Sequence, residues 1–208
     1  DSAGAAGWCD LCNHEEYNLS IGAPSFSWVA EMIKLHLDDT TFDKTRIDII
    51  GIGSLIPLKQ FDLFIKVVAT LAKKHPAIKA VICGSGPERK HLWNLIEQHQ
   101  LHAHIVLLDE TPHTEVLTLL QHSKILLHPS SYEGFATVYS EALYAGAQVV
   151  GFCNPMHVPF KHLHVVNTEE EMLNTADNIL SMEILEYEPV LTYTIEETCK
   201  KIMALYLQ

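Results

Sequence analysis

Arginine is nearly absent from this chain: its 208 residues hold two, Arg46 and Arg89, and the formal net charge is −12. Nucleic acids and anionic membrane surfaces are gripped through clustered Lys and Arg, so neither is expected as a direct partner. A phosphorylated ligand stays compatible if its charge is met locally, by a few lysines and by helix N-termini. Long apolar runs are missing as well, which argues against a membrane-spanning helix. The opening DSAGAAGW lacks the basic and apolar regions of a signal peptide and reads as a frayed end or an expression remnant. Cysteine is sparse and odd in number: Cys9, Cys12, Cys83, Cys153 and Cys199. That usage excludes a disulfide scaffold and fits a reducing, cytoplasmic compartment. The stretch Trp8-Cys9-Asp10-Leu11-Cys12 looks superficially like a redox motif but has no strand before it. Zinc on Cys9, Cys12 and His14 would need a fourth ligand that the sequence does not offer. None of the thirteen histidines falls in an HExxH pattern, so no metal and no cofactor are expected. His157 and His162 flank a Pro-containing loop that could approach a ligand crevice; surface or packing roles are the simpler reading for them, as for His102, His104 and His164.

What is present is a regular α/β rhythm. Hydrophobic residues make up 48% of the chain and charged ones 19%, the profile of a globular domain with a good core. Residues 1–44 stand apart, with a single helix expected from about Ser27 to Leu37. From residue 45 onward apolar strands alternate with amphipathic helices. Strands are expected at RIDIIGIGS, AIKAVICG, HIVLLD, KILLH, QVVGFC and HLHVV. Helices are expected over Gln60–Lys74, Glu88–Gln100, Thr114–His122, residues 134–145, Glu169–Met182 and Ile195–Leu207. This alternation with short connections predicts a Rossmann-like parallel sheet of about six strands with helices on both faces. The division is an N-terminal segment, 1–44, and one domain, 45–208.

The chemistry concentrates in SYEGFATVYSEALYAGAQVV. Glu133 stands in a Gly turn and Glu141 eight residues on. With 134–145 helical, the two carboxylates would lie roughly 12 Å apart along the axis and about 80° apart around it. Two Glu on a short helix ordinarily form its solvated side. Here the unit lies between two buried strands, and its loop falls at the carboxyl end of a strand, where open α/β sheets bind ligands. A ligand with a central diphosphate and hydroxyl-rich ends fits that spacing, its diphosphate against the helix N-terminus. Gly51-Ile52-Gly53-Ser54-Leu55 lacks the third glycine of a dinucleotide fingerprint and the GK[ST] of a Walker loop, which disfavours an oxidoreductase or a P-loop enzyme. Lys59 stands near a helix start at the end of the first strand: alone an ordinary solvated lysine, beside the Glu133 unit an anion ligand. Gly84-Ser85-Gly86-Pro87-Glu88-Arg89 is a tight turn feeding a helix, either a close approach to a ligand or only a turn. Ser85 has no His/Asp partner at a recognisable spacing.

On these residues the chain resembles the donor-binding, C-terminal half of a GT-B glycosyltransferase of family 4, group 1. The resemblance runs from about Ile47 to Leu207. It rests on four ordered motifs: Gly53 to Lys59 with Asp62, Gly84 to Arg89, His128-Pro129-Ser130, and Glu133-Gly134-Phe135 through Glu141-Ala142 with Ala145-Gly146. The resemblance implies a nucleotide-diphosphate sugar donor and retaining, metal-independent transfer by a front-side path. It implies Glu133 facing the donor sugar and Lys59 on the diphosphate, with backbone N–H groups of Gly134, Phe135 and Ala136 on sugar or phosphate oxygens. Glu141 would hold the ribose. Gly53 and Ser54 would border the phosphates, and Gly84, Gly86 and the segment from Leu108 to Pro112 would flank the base. The chain departs from the family at Ser54, where an Arg is usual, so one of two cationic phosphate ligands is missing. Residues 1–44 are also too few for an acceptor domain, and the segment from Gly151 to Val165 is shorter than usual. The expectation is therefore a fragment of a longer enzyme or a partner-dependent subunit, reaching a membrane peripherally, if at all, through the missing half. A non-catalytic nucleotide-sugar binding module with a decayed phosphate site is the alternative, and a nucleotide-sugar epimerase on the same fold is a third.

Overall fold

The computed structural model describes residues 47–134, 137–155, 157–183, 185–192, 200 and 203. The expected helices at Ser27–Leu37 and Ile195–Leu207, the segment 1–44 and the cysteine pair Cys9/Cys12 lie outside the described residues, as do Phe135 and Ala136.

The described residues form six strands, all parallel: β1 (Ile47–Ile52), β2 (Ala80–Cys83), β3 (Ile105–Leu108), β4 (Ser123–His128), β5 (Gln148–Gly151) and β6 (Leu163–Val165). Their order across the sheet is β3-β2-β1-β4-β5-β6. The register places Ile49 beside Ala80 on one side and Ile125 on the other. Chain order therefore runs outward from β1 in one direction and restarts next to it with β4. The connections after β1 and β4 lead to helices on opposite faces of the sheet, and such a reversal is the place where doubly wound sheets take ligands.

Strands β2, β3 and β5 are buried along their whole length, as expected of a parallel sheet covered on both faces. Helices α1 (Phe61–Leu71), α2 (Arg89–Gln98) and α5 (Glu169–Leu180) cover one face around Ile49, Phe64, Val68, Leu92, Ile96 and Met172. Helices α3 (His113–Gln121) and α4 (Thr137–Tyr144) cover the other around Ile50, Val106, Leu119, Leu126 and Tyr139. In α1 the buried residues Phe61, Phe64, Ile65, Val68 and Leu71 recur at helical spacing. Its chain leaves the helix before His75-Pro76, since the residue before proline avoids the α region. Helix α5 opens on a reciprocal cap. Thr168 Oγ1 accepts from the Glu171 amide at 3.1 Å, while Glu171 Oε2 accepts from the Asn167 amide at 2.7 Å. Among the described residues no helix is long and apolar enough to cross a membrane.

One boundary departs from expectation in a way that matters. Of the helix expected over 134–145, the described residues form helix over Thr137–Tyr144. Glu133 and Gly134 stay in the loop, which is tied to the β1 loop through the Ser131 amide, 3.2 Å from the Leu58 carbonyl. The two glutamates therefore do not share one helix, and the axial spacing derived from a continuous helix does not apply.

Candidate functional site at the sheet reversal

Three loops at the carboxyl ends of β1, β2 and β4 build one wall of the crevice. After β1 the chain passes Gly53 and the exposed Ser54, drops Leu55 into the core, and makes a 3-10 turn over Pro57–Lys59. The loop after β2 lies directly against it. Leu55 N donates to Ser85 O at 2.8 Å, and Glu88 N donates to Leu55 O at 3.0 Å. Contact this close requires glycine. A Cβ on Gly84, at φ +154°, would lie 1.9 Å from the Gly53 carbonyl oxygen, and one on Gly86 would lie 2.4 Å from that of Leu55. The glycines of this turn thus serve loop-to-loop packing. The loop after β4 closes the wall: Ser130 Oγ lies 2.9 Å from Tyr132 O and 3.3 Å from Leu58 O, alternative acceptors for its single proton.

This scaffold brings Lys59 and Glu133 together across 74 positions of sequence, Nζ to Oε1 at 2.5 Å. His128, the last residue of β4, puts Nε2 2.7 Å from the same oxygen. The side chain of His128 is 2% exposed and that of Glu133 11%. Burial alone would raise the Glu133 carboxyl, but hydrogen bonds from Lys59, His128 and Ser130 outweigh it and hold the group below the usual carboxylate range. Burial pushes His128 down, against the pull of Glu133, so the imidazole is neutral at neutral pH. Facing a carboxylate, a neutral ring must carry its proton on Nε2.

The other wall is open. The loop after β3 and the start of α3 line a cavity of about 570 Å³ with Ile52, Glu110, Thr111, Pro112, His113, Val116 and Glu141. Glu141, on α4, meets His113 Nε2 at 2.9 Å; His113 is 67% exposed and Glu141 24%. Arg89 is held by Asp109 at the end of β3, through Nε to Oδ1 at 2.8 Å and Nη2 to Oδ2 at 3.1 Å.

Of the residues singled out from sequence, Lys59 and Glu133 come together, and Gly53 adjoins Lys59: a Cβ there would lie 3.7 Å from the Lys59 Cε. Ser54 is exposed at the rim. Gly134 has open space around it, with nothing within 4 Å of where a Cβ would stand. Glu141 faces the cavity. Leu108 does not; it is buried in the core of the α3/α4 face, and the residues after it, Glu110 to Pro112, line the cavity instead. His162 is not drawn to the crevice either. Its Nδ1 lies 2.8 Å from Gln148 Nε2, at the first residue of β5 and so at the other end of the sheet. Two residues of the crevice to which the sequence reading gives no role are His113 and His128, the latter present there only as part of the His128-Pro129-Ser130 motif. His128 was legible as a titratable group closing a buried strand. The pairing of His113 with Glu141, 28 positions apart, had no sequence signal. Among the described residues no group of three or more His, Cys, Asp or Glu is arranged to hold a metal.

The chain is similar to known proteins in sequence and in fold. The chain is 32% identical over 99 residues to the GPI3 subunit of phosphatidylinositol N-acetylglucosaminyltransferase of Saccharomyces cerevisiae, covering 48% of this chain and 22% of that protein. It is 31% identical over 140 residues to an uncharacterized glycosyltransferase of Haemophilus influenzae, covering 64% and 39%. The chain thus spans well under half the length of these relatives. In fold it is similar to S. aureus TarM, solved with fondaparinux, alpha-GlcNAc-glycerol and UDP, at a TM-score of 0.70 and 23% identity over 82% of this chain and 37% of TarM. The family described as glycosyl transferases group 1 matches residues 33–158, more than half of the sequence, and the chain belongs to that family.

Proposed function

We propose that residues 45–208 bind a UDP-linked hexose, N-acetylglucosamine first among the candidates, as the donor half of a retaining, metal-independent glycosyltransferase. The observation that carries this is the meeting of Lys59 and Glu133 at the sheet reversal, beside a cavity that Glu141 faces. The choice of uridine and N-acetylglucosamine rests on what the names of TarM and GPI3 say of those proteins. In this reading the base and ribose occupy the cavity, with Glu141 accepting from ribose hydroxyls. Lys59 meets the diphosphate, and Glu133 faces the sugar. The bond between the anomeric carbon and the β-phosphate oxygen breaks, and its electron pair stays on the diphosphate. The acceptor hydroxyl bonds to the same face of that carbon and gives its proton to the departing phosphate oxygen. Lys59 stabilises the charge that develops there. Residues outside 45–208, in a further domain or a partner subunit, supply the acceptor side.

Titration calorimetry with UDP, GDP and ADP, first without metal and then with magnesium, tests this. Binding of UDP alone in the absence of metal is the expected result. Binding of none of them removes the donor site, and binding that appears only with magnesium removes the metal-independent part.

One observation favours the second reading, a binding module whose phosphate site has decayed. Ser54 leaves the usual arginine position without a cation, and Arg89 is engaged with Asp109 rather than turned to replace it. Ser54→Arg should then tighten UDP binding about tenfold, the worth of one charge-assisted hydrogen bond. Unchanged affinity would mean that another group already fills the position.

A further inference from the structure

The proposed chemistry leaves His128 without a task, although it is the most deeply buried member of the cluster. Lys59 and His128 both reach Oε1 of Glu133, yet they differ in freedom. Lys59 extends a flexible stem from a surface turn and is 19% exposed. His128 closes a buried strand, and its ring stands edge-on to Tyr139 with centroids 5.3 Å apart at 90°. Tyr139 is itself fully buried and backed by β5: a Cβ on Gly151 would lie 2.1 Å from its hydroxyl. The ring of His128 therefore has nowhere to go.

The same lysine cannot fully serve a carboxylate and a diphosphate at once. If it moves to the diphosphate, Glu133 is left as a largely buried anion beside an incoming one, and an unpaired buried charge is strongly destabilising. We infer that His128 is a positioning residue that keeps the Glu133 carboxylate in place when Lys59 transfers from it to the donor diphosphate. The Lys59–Glu133 pair is then an exchangeable contact, and the His128–Glu133 bond is the permanent one. A neutral donor suits this task, because it holds the carboxylate without competing with Lys59 for the phosphate. The inference rests on the donor reading above.

A double-mutant cycle on the full chain tests it, by calorimetry with UDP and UDP-N-acetylglucosamine and with melting temperature followed in parallel. His128→Phe retains the edge-on contact but donates nothing. His128→Gln places an amide N–H near the former Nε2. The expected result is that His128→Phe weakens both ligands about tenfold, that His128→Gln recovers most of this, and that in a Glu133→Leu background, which offers no acceptor, His128→Phe has less than about a twofold effect. The loss should also shrink as the pH falls far enough to protonate Glu133, which a purely structural role would not produce. If His128→Phe does not melt cooperatively, His128→Asn, whose shorter amide falls short of Oε1, replaces it against His128→Gln. A parent chain that binds neither ligand overturns the donor reading and this inference with it. A parent that binds, with Phe and Gln variants equally weakened or with the same loss in the Glu133→Leu background, overturns the inference alone.

Discussion

Glu133 and Glu141 face one crevice from opposite conditions. Glu133 is nearly enclosed, takes hydrogen bonds from Lys59 and His128 on a single oxygen, and rests on three loops bonded to one another. Glu141 lies along an open cavity, and its partner is a surface histidine. The first carboxylate is fixed before any ligand arrives. The second has a contact that a ligand hydroxyl can displace at little cost, because its histidine is 67% exposed and a surface contact of this kind contributes at most about 1 kcal/mol. A crevice with one rigid wall and one open wall can hold the reacting end of a ligand closely while admitting the other end by simple displacement.

The steepest test of that contrast compares two glycines. Gly84→Ala puts a methyl group 1.9 Å from the Gly53 carbonyl oxygen in a backbone conformation that L-residues avoid. It should cost about 3 kcal/mol or more and loosen Lys59 with the β1 loop. Gly134→Ala enters open space and should change stability by no more than about 0.5 kcal/mol. Urea denaturation of the two variants decides it; equal midpoints would mean that the rigid wall is no more tightly built than the loop before α4.

Acid should act mainly on the enclosed side. Burial holds the folded His128 below its ordinary value of 6.5. Its contribution is therefore fully present above pH 6.5 and lost as the pH falls toward the folded value, because the unfolded chain takes up the proton first. The slope for one such histidine reaches about 1.4 kcal/mol per pH unit. His164, pushed down by its own burial and by His162, adds to the same window. Glu133, held below its ordinary 4.5, contributes stability above that value that disappears on further acidification. Thermal melts from pH 8 to pH 3 should fall in two stages, and His128→Gln should flatten the first without abolishing it. An unchanged first stage would assign it to His164 alone.

At the open wall the expected effect is smaller and confined to binding. Glu141→Gln should weaken UDP several-fold, on the order of 1 kcal/mol for a hydrogen bond whose acceptor loses its charge, with no fall in melting temperature. Affinity equal to that of the parent would take Glu141 out of the site.

The same contrast decides what the sequence made legible. The six strands and their parallel order follow from local apolar runs and short connections, and they appear where the pattern placed them. Lys59 and Glu133 were legible because each follows a strand that ends at the crevice. That Glu133 and Gly134 stay in a loop is not legible, because the Ser131–Leu58 bond that holds this loop joins residues 73 positions apart. Leu108 belongs to the core and Glu110 to Pro112 line the cavity; a strand's last apolar residue and a loop's first lining residue look alike in sequence. The Glu141–His113 contact rests on how α3 and α4 lie side by side, which no spacing within either helix encodes.

The smallest expected effect lies behind the rigid wall. Tyr139 is packed against His128, and its hydroxyl, pressed toward Gly151, has no hydrogen-bond partner among the described residues. Burial, with the nearby Cys153 and Glu133 adding to it, drives the phenol far above its ordinary range, so it stays neutral and serves as no acid. A buried hydroxyl without a partner is a cost of folding, and Tyr139→Phe removes it while keeping the ring that stands against His128. The substitution should stabilise the fold by up to about 1 kcal/mol and leave UDP affinity unchanged. Should it instead lower the melting temperature, the hydroxyl must be bonded to an ordered water. The wall behind Glu133 would then be a hydrated network rather than a dry stack, and the fixity of His128 would depend on that water as well as on packing.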